Sequence, residues 1–127
     1  MADSREHEDW LHYAEDDFQG ALEMLASHPR IATRLFHESS EKYLKAVLVY
    51  RKIEPPRTHN LRLLLSEVDA SLSGTSLEVS AAALLTVASP IGRYPGELSE
   101  PSKEEAEALA LASRTLRDFV RKLFNLA

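Results

Sequence analysis

Residues 30–65 read RIATRLFHESSEKYLKAVLVYRKIEPPRTHNLRLLL. Ala32, Leu35, Phe36, Tyr43, Ala46, Val47 and Tyr50 recur at three- and four-residue steps with Ser39 in the same row, one side of a helix over about 31–51. Leu44 and Leu48 widen that side beyond what one partner helix covers, which makes it, with the mostly small AAALLTVAS run further on, a candidate self-association surface. On the opposite side, Glu38 with Lys42 and Glu41 with Lys45 stand four apart with the glutamate leading, the favourable order. IEPP stops this helix, because proline lacks an N–H and disfavours the α conformation in the residue before it. Thr58 is then the expected N-cap of a third helix that carries Leu61, Leu64, Leu65 and Val68 on one face.

Towards the N-terminus, Trp10, Ala14, Asp17, Ala21 and Met24 or Leu25 mark one face of a helix of about five turns. SHPR at 27–30 breaks it. Towards the C-terminus, SLSGTS at 71–76 reads as a loop and LEVSAAALLTVAS as a fourth helix. Residues 90–102 hold three of the 6 prolines and two of the 4 glycines, an irregular connection. The last helix opens with Ser102 and Glu105 as a capping box and continues its seam through Leu109, Ala112, Leu116, Phe119 or Val120, and Leu123. With no internal repeat and no strand-like alternation, the expected fold is all-α: five amphipathic helices with short loops in a helical bundle, one domain over 1–127.

The chain can bury about two-thirds of its unfolded surface at this length. No apolar run reaches a membrane span, the opening MADSREHEDW has no signal-peptide character, and cysteine is absent, so a cytoplasmic protein without disulfides is expected. The net charge of −5 argues against double-stranded DNA. Its distribution is uneven. Residues 1–27 carry one arginine against eight carboxylates, net −7, whereas 28–67 carry eight lysines and arginines against four glutamates, net +4. The middle of the chain therefore suits an anionic partner, although solvated helix faces would produce the same pattern.

Metal chemistry is not expected. The histidines of HEDWLH are five apart and diverge by about 140° on a helix, and no histidine has a glutamate three residues before it. The phosphate-loop and nucleophile-elbow motifs are also missing, so no cofactor and no catalytic residue are assigned. Asp17, on the apolar seam, needs a cationic partner if buried, and Lys42 and Lys45 of the second helix are within its reach as an interhelical tether. At the corner after the prolines, Arg57 precedes the expected cap Thr58, which places His59 in the first turn. A helix N-terminus flanked by arginine is suited to an anion, whereas a histidine that merely fixes the corner is the alternative.

In order, DWLHYAEDDFQGALEML, then the second-helix segment with EKYLKA, then PRTHNL, then GRYP resemble the HEPN family, the higher-eukaryote and prokaryote nucleotide-binding domains. The matching positions are Ala14 and Asp17; Phe36, Glu41, Lys42 and Lys45; Pro56, Thr58, His59 and Leu61; and Arg93, Tyr94 and Pro95, and the likeness spans about 8–124. The resemblance implies an up-and-down four-helix bundle with a short fifth helix, often a homodimer. Some members are metal-independent ribonucleases, and others are non-catalytic companions of small nucleotidyltransferases. Catalytic members share an arginine followed after four to six residues by a histidine in the later helices. Here no histidine follows His59, and the earlier pairs Arg5/His12 and Arg30/His37 have the spacing but not the place.

The expected function is thus a non-catalytic domain that binds a nucleotide or RNA phosphate and works with a minimal nucleotidyltransferase in a toxin–antitoxin-like pair. The ligand-binding candidates are Arg57, Thr58, His59, Arg93, Tyr94, Lys42 and Lys45, with Tyr94 available to stack on a base. The alternatives are a metal-independent ribonuclease with an atypical Arg/His pair, His59 or His37 acting as base, and a helical protein-interaction module without nucleotide binding.

Overall fold

The computed structural model describes residues 5–90 and 100–126. They form five helices and no strand: α1 Glu6–Met24, α2 Pro29–Tyr50, α3 Leu61–Val68, α4 Leu77–Ala88 and α5 Lys103–Leu123. Cross-helix bonds fix the directions. His7 meets Tyr50 edge-on while Phe18 meets Phe36, so α1 and α2 are antiparallel; between these contacts Ser39 Oγ donates to the Ala14 carbonyl and Tyr43 Oη to Glu15. Ser113 Oγ donates to the Phe36 carbonyl, and Tyr50 meets Phe124 edge-on, so α5 runs parallel to α2. The short α3 also runs parallel to α2, with His59 beside His37 and Arg51 beside Val68. The four longer helices alternate in direction around α2, and α3 is the additional element.

Helix α2 is buried over half its circumference, so its wide apolar face is covered by several helices of the same chain and is not left for self-association: Ala32, Phe36, Tyr43, Leu44, Val47 and Leu48 all lie in the core. Ser39 and Ser40 are buried on the same helix. Their small size lets α1 and α5 approach closely, and their hydroxyls reach the Ala14 and Phe36 carbonyls at 2.7 and 2.9 Å. On α1 the buried residues are Ala14, Phe18 and Ala21, and Asp17 sits at the seam's edge. Phe18 takes the core position because its ring packs edge-to-face on Phe36, 5.8 Å between centroids.

Helix ends follow local chemistry. Pro29 does not merely interrupt the chain; it occupies the first turn of α2, where its missing N–H costs nothing. Helix α2 ends in a Schellman motif: Ile53 N–H donates to the Leu48 carbonyl and Lys52 N–H to the Val49 carbonyl, with Lys52 at φ 61°. Helix α5 begins with the Ser102–Glu105 capping box. Of the two expected α2 pairs, Glu41–Lys45 forms at 3.0 Å, but Glu38 takes Arg34 at 3.2 Å because Lys42 turns to Asp17.

Candidate functional site

The Schellman turn sends the chain back along α2, and Pro55 and Pro56 keep it from coiling again. This returning segment reaches the level of His37 and Glu41 before α3 begins. His37 Nε2 donates to the His59 carbonyl at 2.8 Å, and His59 Nδ1 pairs with Glu41 Oε1 at 2.8 Å. Glu41 Oε2 accepts from Lys45 at 3.0 Å. One glutamate therefore holds both a lysine and the corner histidine. Glu41 and Lys45 side chains are each 14% exposed, and that of His59 is 65% exposed.

The cap of α3 is Asn60, not Thr58. Asn60 Oδ1 accepts from the Arg62 and Leu63 N–H groups, and Thr58 Oγ1 accepts from Asn60 N–H one step earlier. Asparagine is as good a cap as threonine, and the Thr58 bond forms a small turn that delays the helix by two residues. His59 consequently precedes the cap rather than lying in the first turn. The remaining early N–H groups are also taken: Leu61 donates to Thr86 Oγ1 and Leu64 to the Asn60 carbonyl. The helix terminus offers no open cradle of backbone donors, so recognition at this corner falls to side chains.

The sequence candidates divide into three groups. His59 and Lys45 meet on Glu41, and Thr58 braces the same turn by accepting from Asn60 N–H, with Arg57 exposed and without an ion pair among the described residues. Lys42 lies on another flank of α2, where its ammonium is bonded to Asp17. Arg93 and Tyr94 fall outside the described residues. His37 is 1% exposed, and its Nδ1 is the buried side-chain polar atom that lacks a partner among the described residues. Burial pushes its pKa down, against the opposing effect of the His59 carbonyl and the charge of Glu41.

A second polar cluster joins α1, α2 and α5. Arg117 Nε and Nη2 donate to the two oxygens of Glu15 at 2.6 and 2.7 Å, and Tyr43 Oη donates to Glu15 at 2.5 Å. Burial raises the Glu15 pKa, but the bonds from Arg117, Tyr43 and Gln19 outweigh it and hold the carboxyl at about 2. The Arg117 guanidinium also lies 5.0 Å from the Phe18 ring centroid. Sequence reading missed this clamp. Glu15 and Arg117 are 102 positions apart, and each reads as an ordinary flanking charge until the helices are placed together.

The model of the HEPN domain matches residues 7–123, and the chain belongs to the HEPN family. In structure it is similar to TT1696 from Thermus thermophilus, at 21% identity over 94% of this chain and 98% of that one, with a TM-score of 0.79. It is also similar to ST0689, an archaeal HEPN homologue, at 22% identity over 92% and 96% of the two chains, with a TM-score of 0.71. No curated protein matches the chain. At these identities the two structures speak for the fold.

Proposed function

We propose that this chain is a non-catalytic HEPN domain that binds a nucleotide or RNA phosphate through the Arg57–His59 corner. The supporting observation is the corner's build. Glu41 holds one nitrogen of an exposed imidazole, so the His59 ring is oriented in advance, and the guanidinium of Arg57 stands two residues away in solvent. Arg93 and Tyr94 complete the candidate set from the sequence. Lys42 and Lys45 contribute less, since each is neutralised by a carboxylate of the fold.

The proposed setting is cytoplasmic, in partnership with a minimal nucleotidyltransferase and as a homodimer; no helix among the described residues is long and apolar enough to cross a membrane. Self-association is supported by α4, which carries Glu78 as its one charge yet leaves Leu77 and Val87 77% and 71% exposed. The test of the corner is equilibrium binding of ATP and of a short 5′-phosphorylated RNA. Arg57→Glu is expected to weaken both by about tenfold or more, the loss of one charge-assisted bond. Unchanged affinity with an intact fold overturns the assignment.

A ribonuclease reading is favoured by one feature, the Glu41–His59 pair, because a carboxylate on one ring nitrogen leaves the other for proton transfer. His37 is sealed in the core and does not fill that role. Cleavage of RNA in EDTA that disappears in His59→Ala would establish the enzyme in place of the binding module.

A further inference from the structure

The first half of α1 carries a surface that phosphate binding leaves unused. Glu6, Asp9, Trp10 and Tyr13 share one face of the helix, since steps of three, four and seven residues return to within about 60° of the same direction. They line a cleft of ≈ 380 Å³ whose opposite edge is Lys42 of α2. Lys42 is bonded to Asp17, so the positive charge at that edge is balanced within the fold. Glu6 and Asp9 are exposed and have no ion-pair partner among the described residues, and Tyr13 is 58% exposed.

Aromatic walls with two unpaired carboxylates at the mouth match the chemistry of an organic cation. Indole and phenol faces attract a guanidinium, and carboxylates accept its N–H groups in charge-assisted bonds. The same carboxylates repel phosphate. We propose that this cleft is a docking site for an arginine presented by a basic segment of another protein. Charge selects that occupant: residues 1–27 carry net −7 and favour a basic partner, whereas self-association is assigned to the apolar α4. The cleft does not depend on the phosphate corner. It uses the Lys42 side of α2, about 100° around the helix from Glu41.

Trp10 is the chain's 1 tryptophan, so its emission reports on this cleft alone. The test is a fluorescence titration of the full chain with a hexa-arginine peptide at low salt, beside an ATP titration. The expected result is a saturable change in Trp10 emission with hexa-arginine that ATP does not produce. Glu6→Gln/Asp9→Asn should weaken it by about tenfold, while Glu104→Gln/Glu107→Gln, which removes the same charge from α5, should leave it unchanged. Trp10→Phe, followed by calorimetry, should also weaken binding. Three results would overturn the proposal: no saturable change, equal weakening in the two charge-matched variants, or an emission change produced by concentrating the protein alone, which would assign the face to a second copy. ATP binding lost only in Arg57→Glu keeps the corner and the cleft as separate questions.

Discussion

His37 and Glu15 hold protons in opposite ways, and both make the fold sensitive to acid. The His37 ring donates from Nε2 to the His59 carbonyl and keeps Nδ1 bare in the core, with Glu41, Glu38 and His59 the titratable groups around it. Its pKa lies below the ordinary 6.5. The unfolded chain therefore takes up a proton that the folded one refuses, and this contribution to stability is complete above pH 6.5 and falls away below it. Urea unfolding at about pH 7.5 and about pH 5.5 should show the loss, and His37→Gln, which keeps a donor but cannot titrate, should flatten it. Glu15 acts lower. Its carboxyl sits at about 2 against an ordinary 4.5, so its stabilisation is complete above pH 4.5 and is lost as pH falls towards 2. Arg117→Ala, which leaves that carboxylate part-buried without its fork, should cost about 2 kcal/mol in chemical denaturation. A cost near zero would make the clamp a surface ornament.

At the level of the helices, most of the seams can be read from periodicity because burial on a helix has a period, whereas the ends depend on single bonds. Leu61, Leu64, Leu65 and Val68 are all buried, as their spacing requires. Sequence places the cap of α3 two residues early because Thr58 and Asn60 are both good caps and only the folded chain shows which carries the helix. Asn60→Ala should therefore lower stability by about 1 kcal/mol and Thr58→Ala by less. Asp17 reads as a seam residue because it shares Ala14's row, but the ring of Phe18, one position on, fills the space against Phe36. Lys52 presents the reverse opportunity. It holds φ 61° at the end of α2, a conformation that costs a side chain about 1 kcal/mol and glycine almost none. Lys52→Gly should raise the unfolding free energy by up to about 1 kcal/mol, despite glycine's poor reputation near helices. A loss instead would mean that the Schellman turn draws strength from the lysine side chain.

For the molecule as a whole, the bundle is legible because five amphipathic helical periodicities joined by short loops admit few other arrangements, and the family because its pieces occur in order in one chain. The site is less legible. Which of the cations stand free depends on where the carboxylates land: Lys42 and Lys45 are neutralised and Arg57 is not. The expected backbone cradle at α3 is closed for the same kind of reason, since Thr86 of a distant helix occupies the Leu61 N–H. What is left at the corner is an oriented imidazole and an exposed guanidinium. The most direct test of that corner is a proton–nitrogen NMR titration of the intact protein with ATP and then with a short RNA in EDTA, with phosphorus spectra followed in the same tube. The account predicts saturable shifts centred on residues 57–60, absent in Arg57→Glu, with the RNA intact. No shift at these residues, or new phosphorus signals from cleaved RNA, would contradict it.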